Sequence, residues 1–206
     1  METEVRFYYP LEDEDKLVER LKKCTDLEYT GRFHEVTKQY NHPMKEFDFY
    51  GKKVDGRLRV RKTEGEGLNK CMISWKQRLG GGGLVHEERE AEVRINASDY
   101  ENLEYILREV LHLDLVESYE RFRNLFSGEG IEVVVDRYPF GVAVEIENKG
   151  DNDDALENVQ RWVERLGFNF KDAYHLSWDD KYRELCEKQG KKVLKEVVFR
   201  AEMPRV

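Results

Sequence analysis

Alternation with a period of two, apolar residues on one strand face and charges on the other, recurs along this chain and dictates a fold built on a sheet. The first instance is Glu2-Thr3-Glu4-Val5-Arg6-Phe7, where Glu2, Glu4 and Arg6 point one way and Thr3, Val5 and Phe7 the other. It returns in Arg57-Leu58-Arg59-Val60-Arg61, with three arginines on one face. In 69–79, Cys71, Ile73 and Trp75 lie in phase and Lys76 opposite. In 86–95, Glu88, Glu90, Glu92 and Arg94 oppose Ala91, Val93 and Ile95. Three more strands follow: 116–126 with Arg121 and Arg123, 131–138 with Asp136, and 142–148 with Glu145 and Glu147. Residues 29–40 alternate more loosely as a strand, and 46–50 are expected to resume extended structure after Asn41-His42-Pro43.

Segments with helical spacing interrupt the strands. Residues 11–24 place acids in the first turn and Leu17, Val18, Leu21 and Cys24 on one stripe. From Ser98 a helix is expected with a Ser98–Glu101 capping box and a buried stripe of Leu103, Ile106, Leu107, Val110 and Leu111. Residues 153–166 form another, through Leu156, Val159, Val163 and Leu166, stopped by Gly167. A last helix spans 177–189 with Tyr182, Leu185 and Cys186 inward, ended by Gly190. The tail, 191–206, offers a strand at 197–199. Gly80 to Gly83 read as a hairpin loop, since no Gly-Lys-Ser/Thr follows them as a P-loop requires.

A chain of 206 residues suits one domain, with strands over 2–148 and helices over 153–190. Charged residues make up 38% of it and the net charge is −8, which argues against a duplex nucleic acid or an anionic membrane as partner. Three widely spaced cysteines suggest neither a disulfide framework nor a zinc site. No apolar run approaches the roughly 18 residues that span a bilayer, no signal-peptide pattern precedes the first strand, and a reduced, cytoplasmic setting is expected. The five histidines are scattered, which disfavours a His-ligated metal or a His-based triad.

If the helices cover the apolar strand faces, the charged faces look either to solvent or at one another across a closed barrel. The inventory bears on that choice. Arginine dominates the basic set and the signs are sorted by strand, whereas an ordinary wet face mixes in Ser, Thr, Gln and Lys. Arginine forks suit phosphate oxygens, and clustered carboxylates suit Mg²⁺ or Mn²⁺. A compact polyanion with a divalent cation satisfies both, and a small molecule bearing a triphosphate is the natural candidate.

Glu2-Thr3-Glu4-Val5-Arg6 resembles the E-x-E-x-K strand of the CYTH superfamily, the triphosphate tunnel metalloenzymes, which includes class IV adenylyl cyclases, thiamine triphosphatases and inorganic triphosphatases. Further segments match in order: Phe47-Asp48 is similar to its aromatic-Asp strand, Leu58-Arg59-Val60-Arg61 to L-R-x-R, Ile73-Ser74-Trp75-Lys76 to its lysine strand and Glu90-Ala91-Glu92 to its E-x-E return. Arg121-Phe122-Arg123 resembles its paired basic strand, Asp136, Gly141 and Glu145-Ile146-Glu147 its D…G-x-x-x-E-I-E close, and Tyr182-Arg183-Glu184-Leu185 its final helix. Arg6 for Lys, Glu88 before E-x-E, Phe49 after the Asp and Ala143 before E-I-E depart from the pattern.

The resemblance implies an α+β fold: a closed, eight-stranded antiparallel tunnel with a charged interior and helices outside. It implies catalytic Glu2, Glu4 and Arg6, phosphate ligands Arg57, Arg59, Arg61, Lys76, Arg121 and Arg123, and Mg²⁺ or Mn²⁺ ligands Glu4, Glu90, Glu92, Asp136, Glu145 and Glu147. The expected activity is metal-dependent hydrolysis of inorganic triphosphate, a nucleoside triphosphate or thiamine triphosphate by a monomer or homodimer. The alternatives are a class IV adenylyl cyclase making cAMP and pyrophosphate, and a non-catalytic triphosphate or polyphosphate binder.

Overall fold

The computed structural model describes residues 3–51, 53–78, 88–150 and 154–206, with the backbone alone at Arg78 and Glu88. Glu2, the glycine loop at 80–83 and His86 lie outside them. An antiparallel sheet with helices is formed, as the alternation requires. Its strands are β1 (Glu4–Tyr9), β2 (Glu28–Asn41), β3 (Gly56–Gly65), β4 (Leu68–Arg78), β5 (Glu88–Ile95), β6 (Asp114–Gly128), β7 (Ile131–Tyr138) and β8 (Gly141–Asn148). A two-residue β9 (Glu196–Val197) joins β6 in parallel. The helices are α1 (Glu14–Lys22), α2 (Tyr100–Tyr105), α3 (Ala155–Arg165) and α4 (Trp178–Lys188). Among the described residues no helix is long and apolar enough to cross a membrane.

The chain packs into two compact units, and β2 and β6 contribute residues to both. One unit holds residues 3–33, Arg121–Leu194 and Phe199–Val206. Here the sheet order is β1-β8-β7-β6, then the first half of β2. Val5 and Phe7 of β1, Val133 and Val135 of β7, and Val142, Val144 and Ile146 of β8 share one face, as their odd or even phase dictates. Leu17, Val18 and Leu21 of α1 and Val159, Trp162 and Val163 of α3 cover that face as a continuous core. Leu156 of α3 stays exposed. Gly167, at φ +67°, stops the segment after α3, and Gly190, at φ +62°, follows α4, both where an L side chain would be strained.

Helix α4 attaches differently: its Trp178 stacks on Tyr138, ring centroids 5.9 Å apart, and its Tyr182 packs on Phe140 at 5.7 Å. Ahead of it, the Tyr174 amide donates to the Arg6 carbonyl at 2.8 Å, which occupies the edge of β1 that does not face β8. The strand order runs from β1 to β5, and no pairing between these two is seen among the described residues, so closure of the sheet is not part of the observed pairing.

The other unit holds His34–Glu120 and Lys195–Val198. Its sheet carries β2, β3, β4 and β5, with the first half of β6 beside β2. Tyr40, Val60, Cys71, Leu107 and Leu113 form its core. Lys38, beside Tyr40 on β2, reaches Glu104 of α2 at 2.7 Å, and the Tyr40 hydroxyl donates to the same carboxylate.

Three expectations are corrected here. Residues 46–50 do not resume a strand: Lys45–Phe47 form a 3-10 turn, and the Asn41 and Asp48 side chains accept from the amides of Phe49, Tyr50 and Gly51, replacing a strand ladder. The Ser98–Glu101 capping box does not form, because Ala97–Asp99 is itself a 3-10 turn and the helix begins after it. Finally, Ile106–Val110 is a π turn, with the Leu111 amide bonded to the Ile106 carbonyl. The wider turn rotates the stripe out of phase, so Leu107 is buried while Ile106, Val110 and Leu111 are exposed.

Candidate functional site

In the first unit the polar face of the sheet gathers Glu4 and Arg6 of β1, Glu145 and Glu147 of β8, Asp136 of β7, and Arg121 and Arg123 of β6. Register explains the gathering. Glu4 lies opposite Glu147, Arg6 opposite Glu145, and Asp136 opposite Arg123. Because the Arg6 carbonyl is turned to Tyr174 rather than to β8, Arg6 and Glu145 are a non-hydrogen-bonded pair, the kind that brings side chains closest. Arg6 Nε donates to Glu145 Oε1 at 2.6 Å and Nη2 to Glu4 Oε1 at 3.1 Å, while Nη1 meets the Leu176 carbonyl at 3.2 Å.

Asp136 is fully buried and its carboxylate is clamped: Oδ2 accepts from Arg121 Nη1 at 2.8 Å and Arg123 Nη2 at 2.6 Å, and Oδ1 accepts from Arg123 Nε at 2.8 Å. Arg121 Nη1 also donates to the Tyr138 hydroxyl at 2.9 Å, and Arg123 stands 3.5 Å from Glu145 Oε2. Glu147 pairs with Lys149 at 2.7 Å.

Burial would by itself push the Glu145 carboxyl up, but Arg6, Arg123 and Arg121 overcome it and bring the group down to about 2. Burial likewise opposes the charge on Arg6, and Glu145 and Glu4 outweigh it, holding the guanidinium well above its ordinary range. A carboxyl depressed in the folded state stabilises fully above its ordinary value near 4.5 and loses that contribution as pH falls towards 2. Stability on the order of 3 kcal/mol from this group is therefore expected to disappear between about pH 5 and 2. Acid titration of Glu145→Gln against the parent checks it: the variant should show a shallower loss over that window, and an identical profile would contradict the pairing.

In the second unit β3 presents Arg57, Arg59 and Arg61 in one row. Arg57 is held by Asp55 at 2.7 Å and lies over the Tyr50 ring. Arg59 and Arg61 sit opposite Gln39 and Thr37 of β2. Arg59 Nε donates to Gln39 Oε1 at 3.0 Å, and Arg61 Nε donates to Thr37 Oγ1 at 3.1 Å with Glu35 no nearer than 4.0 Å. Their closest partners are thus neutral. Gln39 is itself fixed, because its Nε2 donates to Glu117 at 2.8 Å and the Tyr50 hydroxyl donates to the same oxygen at 3.0 Å. Lys76 of β4 faces Glu90 of β5 at 3.7 Å, and Glu92, opposite Ser74, is exposed.

Sequence reasoning missed Thr37, Gln39, Glu117 and Tyr138. Their signal was present: Glu35, Thr37 and Gln39 keep period two, and Glu117 and Tyr119 share the phase of Arg121 and Arg123.

Among the described residues no three acidic, histidine or cysteine side chains stand together as a cage for a metal ion. Mg²⁺ is commonly held instead by one or two carboxylates plus substrate phosphates. Glu4 and Glu147 are two carboxylates directly opposite one another on β1 and β8. Like charges placed so are unfavourable without a cation, which here comes from Arg6 for one and Lys149 for the other.

No protein-family model and no curated protein matches the chain. Solved structures do. A protein of Pyrococcus horikoshii OT3 is 21% identical with a TM-score of 0.66, over 89% of this chain and 99% of its own. An adenylate cyclase candidate from Vibrio parahaemolyticus is 16% identical with a TM-score of 0.67, over 87% of this chain and 95% of its own. An adenylyl cyclase candidate from Hippeastrum with a dominant triphosphatase activity is 16% identical, TM-score 0.61, over 94% of this chain and 98% of its own. The resemblance to the CYTH superfamily read from the motifs is thereby borne out as a resemblance of fold.

Proposed function

We propose that this chain is a divalent-metal-dependent triphosphatase. The observation that carries the reading is the division among its arginines. Arg121 and Arg123 spend their charge on Asp136 and Glu145, whereas Arg59 is oriented by a neutral amide and keeps its own for an anion, and Arg61 is oriented by a hydroxyl with its nearest carboxylate, Glu35, at 4.0 Å. A guanidinium pre-aimed in this way binds phosphate oxygens without first breaking an ion pair. The triphosphatase activity of the Hippeastrum protein supports hydrolysis over cyclisation.

In this reading Arg59 and Arg61, with Arg57 and Lys76, neutralise the phosphate chain, and Arg6 steadies Glu4 and Glu145. Glu4 and Glu147 would hold Mg²⁺ or Mn²⁺, which would supply Lewis-acid polarisation and a more acidic bound water. Glu4, with Glu2, would take the proton from the attacking water. The water oxygen bonds to the terminal phosphorus as the bridging P–O bond breaks, and the diphosphate or diphosphate ester leaves. Asp136 serves the site by holding Arg121 and Arg123.

Product analysis after incubation with tripolyphosphate, ATP or thiamine triphosphate and either cation tests the proposal. Orthophosphate release is expected; cAMP with pyrophosphate would identify a cyclase, and no turnover with any of them a binding protein. Glu147→Gln should raise the Mg²⁺ concentration needed for half-maximal activity by about tenfold or more, the loss of one charge-assisted contact. Metal-free tripolyphosphate binding should stay or improve, since one repulsive charge is gone. An unchanged metal requirement would remove Glu147 from the metal site.

A further inference from the structure

Tyr8 stands two residues beyond Arg6 on the same face of β1, opposite the small side chain of Ala143. Its hydroxyl is, among the described residues, the one buried side-chain polar atom without a hydrogen-bond partner. Leaving a buried hydroxyl unmet is costly, and such groups ordinarily find a partner. The ring itself is well fixed: Tyr174 meets it edge-on at 5.3 Å, Phe140 lies 6.3 Å away, and Lys181 of α4 stands 5.8 Å from its centroid. The unmet donor is therefore held in place rather than swept about by a loose side chain. Its surroundings are those of the proposed site, since Arg6, Tyr138 and Glu145 all act electrostatically on the hydroxyl. Burial, the largest influence, pushes its ionisation well above the ordinary range, so the group remains a proton donor at any working pH.

We propose that the Tyr8 hydroxyl is a substrate contact, donating its hydrogen bond to a phosphoryl oxygen of the bound triphosphate. The inference rests on the triphosphate reading and deepens it. A neutral donor beside Arg6 adds direction where the arginines add charge, and an anionic oxygen is the acceptor that best repays a buried hydroxyl. The free protein bears the cost of the unmet group, and the complex relieves it.

That arrangement has an uncommon signature in Tyr8→Phe, which deletes one oxygen and leaves the ring packing intact. Calorimetric titration of metal-free tripolyphosphate into the full chain should show about ten- to a hundredfold weaker binding for the variant. Without ligand its melting temperature should be equal to or above that of the parent, because the unmet polar atom is gone. Affinities within twofold of each other, or a variant melting several degrees lower, would overturn the assignment. A parent that binds while Tyr8→Phe binds equally well defeats the Tyr8 inference alone, whereas a parent that does not bind tripolyphosphate defeats both readings.

Discussion

Asp136→Asn is expected to destabilise the protein by about 3–5 kcal/mol, the cost of removing one partner from a buried ion pair. The substitution preserves shape and volume, so the loss reports the missing charge together with the acceptor oxygen that becomes an amide donor facing an arginine N–H. Three hydrogen bonds of 2.6–2.8 Å converge on this fully buried carboxylate, and Arg121, 4% exposed, has no solvent to fall back on. Arg123 can lean on Glu145, 3.5 Å away, which moderates the loss without abolishing it. For a chain of this length the melting temperature should fall by roughly 6–20 °C. Urea and thermal unfolding measure it; a change under about 1 kcal/mol would mean that water reaches the cluster, against the burial described.

Arg59→Ala should do the opposite. The fold should lose only about 1 kcal/mol, chiefly from leaving Gln39 Oε1 unmet in a buried position. Triphosphate binding should weaken by at least tenfold, with or without Mg²⁺, since each charge-assisted bond to phosphate is worth about 1.5–3 kcal/mol. Titrations with and without the cation separate this effect from that of Glu147→Gln, which concerns the metal. Unchanged affinity would show that the uncommitted charge of Arg59 is not used for phosphate.

The sequence disclosed whatever depends on local alternation and left hidden whatever depends on partners from elsewhere. Val142, Val144 and Ile146 on one side of β8 and Glu145 and Glu147 on the other are legible from period two alone, and the core confirms them. Gly167 and Gly190 are legible because a left-handed residue must end a helix somewhere. The loop after β2 was not, since Asn41 reaches forward eight and nine residues to accept from Phe49 and Tyr50. Nor was the π turn at Ile106–Val110, where an apolar stripe of ordinary spacing is displaced by one added residue in the turn.

The candidate site divides in the same manner. Sorting of charge by strand marked out Arg6, Arg59, Arg61, Asp136 and Glu145, but which arginine is committed to a carboxylate and which to a neutral acceptor follows from register. No reading of one strand supplies register. Gln39 illustrates the gap: an amide in a loosely alternating strand turns out to aim Arg59, and it is in turn held by Glu117 from a different strand.

The contact between Tyr174 and β1 bears on how this strand's outer edge is kept from pairing with another chain. A bare strand edge invites a strand from another molecule, and β1 is, among the described residues, an end strand rich in apolar and aromatic residues. The chain meets this hazard with its own backbone, placing Tyr174 against Arg6 and then laying the Leu176 carbonyl on the Arg6 guanidinium. Protection against strand addition and orientation of a charged side chain are thereby served by one short segment. Loosening that segment would both uncover an aggregation-prone edge and release Arg6 from one of its three acceptors.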